Sequence, residues 1–416
     1  MDGVLVDTDF QSLWQQGALT AATPLIDGQI QPASVDLRLG KVAYRIQASF
    51  LPGKARKVAE CIDALCMKTM DLSEPCLFER GAIYLVPLQE GLNLSHGTTK
   101  ILQNRDSGRD FCDGEDRGSA NVHDSTCEPR KPSQRERHPD DDGYEGFLLG
   151  SSSPKSSTGR LDIFVRLVTD NSMTYDTVEP GYTGPLYLEI SPLTFPVMLQ
   201  QGDRLNQLRL RKGNPVLTDD ARKALHAQTP LLYQDGVPLL SNPQWISIDT
   251  QGNPNEKNPI VGYRAKRHTL PINLRNVGTY NWHHFWEPIT RADCDPLILY
   301  PEDFYIFASC EGVYVPPEYA AELVAYDTRV GEIRVHYAGF FDPGWGINGK
   351  GNPQGTRAVL EVRAHDVPCV LEHGQPIGRF LYEKLLHAPA AMYGAGIGSN
   401  YAGQGLKLAK QFNMAA

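Results

Sequence analysis

The run Glu179-Pro180-Gly181-Tyr182, followed by Leu188-Glu189-Ile190, has a second copy in Asp342-Pro343-Gly344-Trp345 and Leu360-Glu361-Val362. Tyr84 and Glu90-Gly91 precede the first copy, and Tyr305 and Glu311-Gly312 precede the second. Glu189 is followed by Pro196 and Gly202, and Glu361 by Pro368 and Gly374, at the same offsets of seven and thirteen residues. Pro-Gly and Glu-Gly are ordinary turn material. Their shared offsets instead predict one β-rich module used twice.

A chain of 416 residues is long enough for each half to bury its own core. The formal charge of −9 argues against a broad nucleic-acid surface, while leaving room for a small basic pocket. Eight cysteines without a regular framework, and an acidic start without an apolar leader, suggest a reducing cytoplasm. No stretch approaches the 18 apolar residues of a membrane span.

Working outward, Gln31–Gly40 alternates Val35, Leu37 and Leu39 against Ser34, Asp36 and Arg38, which predicts a strand closed by a glycine turn. Further strands are expected at 42–47, 82–88, 161–168, 186–190, 196–199 and 205–211. The second half repeats them at 304–309, 333–337, 358–363, 367–371 and 377–382. Short helices are expected at 7–19, capped by Asp7 or Thr8, and after Thr218. Many short strands with Gly and Pro corners favour a sandwich or jelly roll. The division expected is 1–215 and 216–416, with a polar insertion at 96–154 too poor in apolar residues to offset its ordering entropy. The glycine-rich, basic segment from Gly394 to Lys410 reads equally as a disordered tail or as one closing over a ligand.

No Cys-x-x-Cys pair, phosphate loop or Gly-x-Ser-x-Gly occurs, and His283-His284 lack obvious companions. The expectation is therefore oxygen and guanidinium chemistry with no metal held by the protein. Lys155-Ser156-Ser157-Thr158-Gly159-Arg160 gathers two cations, three hydroxyls and a glycine, a set that can hold phosphate oxygens or orient a water. It also suits an ordinary surface turn. Glu189 and Glu361, each flanked by apolar strand residues, either face solvent or occupy a polar pocket where partial burial raises the pKa toward proton transfer.

Together these motifs resemble the deoxycytidine triphosphate deaminases, relatives of the trimeric deoxyuridine triphosphatases, in a long form with two fused modules. Gln31-Pro-Ala-Ser-Val-Asp-Leu-Arg-Leu-Gly40 is similar to the family's N-terminal signature. Lys155–Arg160 resembles its Arg-Ser-Ser-x-x-Arg stretch, and Glu179–Gly184 with Leu188-Glu189 resembles the stretch carrying its catalytic glutamate. The resemblance implies duplicated, distorted jelly-roll modules of the β-clip type with active sites formed between modules. It also implies hydrolysis of dCTP to dUTP and ammonia without zinc, magnesium accompanying the triphosphate. Ser156 would position water or pyrimidine, Arg160 would support the reacting groups, and Glu189 would activate water, with Glu361 second. Lys155, Ser157, Arg329, Tyr401 and Gln404 would contact nucleotide. The chain departs from the family at Thr177, at Ala325-Tyr326 in place of the serine pair, and at Asn400 where a lysine is expected. A closed homo-oligomer with trimer-like module packing is expected. Alternatives are a dUTP or dCTP pyrophosphatase, a bifunctional enzyme yielding dUMP, and an inactive nucleotide-binding structural protein.

Overall fold

The computed structural model describes residues 2–95, 147–239, 245–324, 333–335, 339–364, 366–394 and 405–415. Most of the expected insertion, together with Arg329, Tyr401 and Gln404, lies outside these residues. Among the described residues no helix is long and apolar enough to cross a membrane.

Strands form where alternation and turn residues place them. The expected 186–190, 205–211 and 358–363 become Thr183–Pro192, Arg204–Lys212 and Thr356–Ala364. The N-terminal helix is Asp7–Gln15, with Phe10 and Leu13 buried. Its first turn is closed by Asp9, whose carboxylate accepts from the Val6 N–H at 3.0 Å, rather than by Asp7 or Thr8. Helix Asp219–Gln228 is capped by Thr218, whose hydroxyl accepts from Ala221 N–H at 3.3 Å. Helix Val58–Leu65 was not foreseen. Leu148–Pro154, assigned to the insertion from composition, is a strand between Thr177–Val178 and Arg204–Lys212.

The expected jelly-roll, β-clip modules are corrected by the strand pairing. Among the described residues, five sheets of three or more strands stand in a propeller-like arrangement, and two two-stranded ribbons accompany them. Short strands with Gly and Pro corners are common to sandwiches, jelly rolls and propellers, so local patterning does not reveal which strands pair. One six-stranded sheet is centred on Arg204–Lys212, flanked by Ser34–Arg38 and Leu148–Pro154. Another carries Thr183–Pro192 between Ile163–Thr169 and Ile83–Asn93. The seven-stranded sheet sets Tyr305–Val313 beside Thr356–Ala364, and a four-stranded sheet contains Tyr319–Val324, Phe340–Phe341 and Pro376–Lys384.

The duplication extends to register. Tyr84 lies opposite Ile190 and Leu85 opposite Glu189; Tyr305 lies opposite Val362 and Ile306 opposite Glu361. Each tyrosine hydroxyl accepts from the backbone N–H five residues upstream, Glu79 at 3.0 Å and Tyr300 at 3.1 Å. Gly181 and Gly344 both take the left-handed backbone (φ 75° and 88°), which explains the glycine after each proline.

The strand Ser34–Arg38 is buried along its whole length, including the expected polar face. Its charges are matched inside the protein. Glu90 accepts from Arg38 Nε and backbone N–H, both at 2.7 Å, and Asp36 receives Lys155 Nζ at 2.5 Å and Arg204 at 3.2 Å. Glu311, the counterpart of Glu90, accepts from the backbone N–H and hydroxyl of Ser247.

The halves are not separately packed. Trp286, fully buried, meets Phe195 of the first half edge-on at 5.3 Å and Phe412 near the C-terminus at 6.0 Å. Of the C-terminal segment, Leu408, Ala409 and Phe412 are buried in this same core, so the described part of the tail is anchored. Arg209 and Arg211, on a first-half strand, reach Glu383 on a second-half strand, Arg209 at 2.9 Å. Arg211 also pairs with Glu322 at 3.1 Å. Burial opposes ionisation of Glu383, yet the two guanidiniums hold its carboxyl below the ordinary value.

Candidate active site at the junction of the two halves

Lys155–Arg160 is a single helical turn, Ser156–Gly159, at the end of strand Leu148–Pro154. Two bonds to one carbonyl seat it: Lys155 N–H and the Thr158 hydroxyl both donate to Leu205 O, at 2.9 and 2.8 Å. Ser156 is exposed, whereas Arg160 is buried, with Nη1 donating to Lys407 O at 3.0 Å. Lys155 points to Asp36. Lys410 lies close enough to Lys155 and Arg204 that burial first, then these two cations, lowers its pKa.

Across the junction, Glu361 sits mid-strand with its carboxylate 3.9 Å from Arg160 Nε. The residue is 6% exposed. Burial pushes its carboxyl up to about 7, and the facing Arg160 offsets this only in part. Ser156, Arg160 and Glu361 line one space with Phe340, Phe341 and Trp345. As bounded by the described residues it measures about 40 Å³, enough for water and too small for a nucleotide. One wall is stiffened by Arg209, which stacks on the Phe340 ring at 4.0 Å and lies 3.8 Å from Asp342. Burial raises the Asp342 carboxyl against the pull of Arg209.

Glu189 is placed differently. It is buried on its own sheet, opposite Arg166, which donates from Nε at 3.0 Å and Nη2 at 2.5 Å, while Ser49 Oγ donates at 2.7 Å. Arg166 in turn stacks on Tyr175 at 3.7 Å. The residues grouped from sequence as Ser156, Arg160 and Glu189 thus fall in two places, and it is Glu361 that shares a space with Ser156 and Arg160. Ser157 follows Ser156 in the same turn and is half-buried. Arg329, Tyr401 and Gln404 lie outside the described residues.

Several contributors escaped motif reading. Arg166 and Ser49 meet Glu189 only through strand pairing and a loop. Phe340 and Trp345 reach the Glu361 space from a third sheet and its following turn. The expectation of no zinc is also corrected. Asp249, Cys310 and His373 bring one ligand atom each to within 4.8 Å of one another, a zinc-type donor set. These positions are too far apart in sequence to show as a metal motif.

Comparison with known proteins accounts for both halves. The description "2'-deoxycytidine 5'-triphosphate deaminase (DCD) N-terminal domain" matches residues 1–109 and 145–214. The corresponding C-terminal domain description matches residues 218–412. A crystal structure of 2'-deoxycytidine 5'-triphosphate deaminase from Agrobacterium tumefaciens is similar with a TM-score of 0.74 at 38% identity, over 93% of this chain and 99% of that one. The dCTP deaminase of Natronomonas pharaonis is 29% identical over 212 residues, 49% of this chain and 78% of the relative. With both halves matched and a solved relative aligned along nearly its whole length, the chain belongs to the two-domain 2'-deoxycytidine 5'-triphosphate deaminase family and is an enzyme of deaminating hydrolase type.

Proposed function

We propose that the chain hydrolyses dCTP to dUTP and ammonia at a composite site in which the first half supplies Ser156 and Arg160 and the second supplies Glu361. The observation that carries this reading is the buried carboxyl of Glu361, pushed up to about 7 and facing Arg160 beside a water-sized space. A group titrating near neutrality can take a proton and return it within one turnover.

In the proposed reaction Glu361 accepts a proton from water as the water oxygen bonds to C4 of the cytosine ring. The attack moves the C4=N3 π electrons onto N3. The tetrahedral adduct collapses when the same proton is returned to the amino nitrogen, the C–N bond breaks and ammonia leaves, and the proton of the added hydroxyl passes to N3 to give the C4 carbonyl. Arg160 is fixed by burial and by the Lys407 carbonyl, so its charge is in position before the adduct forms and little reorganisation is needed. Ser156, exposed at the start of its turn, hydrogen-bonds water or the ring in this reading. Lys155 and Arg204 pair with Asp36, and Lys410 lies near both Asp36 and Asp203, a gathering of cations that supports triphosphate binding there.

We further infer a closed homo-oligomer. Two fused modules cannot complete a three-fold ring by themselves, so trimer-like packing needs further copies. The deciding experiment incubates purified chain with dCTP and follows ammonia, dUTP, dUMP and pyrophosphate together. Ammonia with dUTP supports the proposal, dUMP with pyrophosphate redirects it to a pyrophosphatase or bifunctional activity, and no ammonia overturns it.

A further inference from the structure

A cavity in the second half shares no residue with the Glu361 space. It measures about 990 Å³ and is lined by Asp249, Cys310 and His373, with Cys294 and Arg357 also on its wall. We infer that Asp249, Cys310 and His373 form a binding site for a zinc-type divalent cation, with its remaining coordination position open to this cavity.

The three donors are chemically matched. A thiolate, an imidazole and a carboxylate are zinc's ordinary protein ligands, and three of them leave a fourth tetrahedral position for water or a ligand atom. Their ligand atoms lie within 4.8 Å of one another, so small side-chain rotations bring all three onto one ion.

The backbone beneath them is tied together. Asp249 N–H donates to Ala308 O at 3.0 Å, two residues before Cys310. Gly374 N–H donates to Ile248 O at 2.9 Å and Ile248 N–H to Gln375 O at 3.1 Å, which pins the turn bearing His373 to the segment bearing Asp249. Cys310 falls in the register break between Ala308 and Gly312, where strand Tyr305–Val313 leaves the ladder of Thr356–Ala364. That break places its side chain outside regular pairing, as bulges beside binding sites do.

The donors are oriented as well as gathered. Asp249 Oδ1 accepts from the N–H groups of Gln251 and Gly252, both at 2.8 Å, and Oδ2 accepts from Arg357 at 2.5 Å. His373 Nδ1 accepts from Thr250 N–H at 3.3 Å and is 3.6 Å from Asp249 Oδ1. The Cys310 thiol donates to Ile248 O at 3.2 Å, so a bound cation would take the place of that proton.

The test uses the full chain and requires no turnover. Protein stripped with chelator is loaded with zinc, desalted and analysed by elemental mass spectrometry, and a parallel sample is titrated with cobalt(II). About one zinc per chain and a near-ultraviolet thiolate-to-cobalt charge-transfer band are expected. Cys310→Ser should abolish the band, and His373→Gln should weaken retention by at least about 100-fold. Cys76→Ser, on the other half, should change neither. Absence of retained zinc, or retention and spectrum unaltered in Cys310→Ser, overturns the assignment. Should Cys310→Ser fail to fold, the parent's cobalt spectrum decides, since binding without a charge-transfer band refutes a thiolate ligand. Loss of this site leaves the Glu361 proposal standing, and a chain without deaminase activity leaves the zinc test intact.

Discussion

Replacing Glu361 by Gln tests the composite site in two independent ways. The carboxyl moves from an ordinary value of 4.5 to about 7 because burial penalises its charge more than Arg160 rewards it. At about 1.4 kcal/mol per pKa unit, ionising this group costs the folded chain about 3 kcal/mol. The sign follows from proton binding. Between pH 4.5 and 7 the folded chain holds a proton that the unfolded chain has released, so stability present below pH 4.5 is lost as pH rises through 7. Glu361→Gln keeps the shape and removes the titration. Urea unfolding of both proteins from pH 4.5 to 8 should therefore show the variant gaining on the parent by about 3 kcal/mol across that window. Other titrating groups cancel in the difference. In the same variant, ammonia release from dCTP should fall by about 10²- to 10⁴-fold, the usual contribution of a general base. Stability curves that run parallel with pH would refute the buried-carboxyl argument. A variant that keeps its rate would refute the assignment of the base.

Three other outcomes follow from the same geometry. Glu189→Gln should retain ammonia release within about tenfold, while losing about 2 kcal/mol in urea unfolding because Arg166 and Ser49 lose a charged acceptor; abolished turnover in a folded variant would move the base to Glu189. Trp286→Ala should destabilise the chain by about 3–5 kcal/mol, since the ring is fully buried among Phe195, Phe304 and Phe412. A loss under about 1 kcal/mol would show that this aromatic cluster does not hold the halves together. Light scattering should give a mass that is a multiple of the 46.1 kDa chain, and a strict monomer in the presence of nucleotide would remove the trimer-like packing.

Strand positions were legible because alternation and turn glycines are local. Val35, Leu37 and Leu39 announce a strand without knowledge of its neighbours, and Gly181 and Gly344 mark turns that need a left-handed residue. Pairing is not local, and there the reading failed. The same short strands fit a jelly roll as well as the sheets observed, and nothing in Ser34–Arg38 announces that Asp36 and Arg38 will be buried against Lys155 and Glu90. Ser156 and Arg160 were recognisable as a motif, but their neighbour across the junction was not, because Arg160 and Glu361 are 201 positions apart. Asp249, Cys310 and His373 fail for the same reason: separate segments supply one donor each, without the short spacing that betrays a metal site on a single helix or turn.

The two repeated glutamates show how far duplication determines chemistry. Glu189 and Glu361 stand in the same register beside the tyrosine-bearing strand, so the fold presents them alike. Their charged partners differ. Ile163–Thr169 puts Arg166 directly opposite Glu189, and with Ser49 it satisfies that carboxylate within the first half. Beside Thr356–Ala364, the strand Ile333–Val335 sets Arg334 opposite Arg363 and Val335 opposite Val362. Glu361 instead faces Arg160 from the other half at 3.9 Å, a distance that tempers its charge without a direct bond. Burial therefore dominates at Glu361, whereas Glu189 is held in short charge-assisted hydrogen bonds on its own sheet. The two repeated carboxyls thus have different partners: Glu189 is held by Arg166 and Ser49 of its own half, and Glu361 faces Arg160 of the other half.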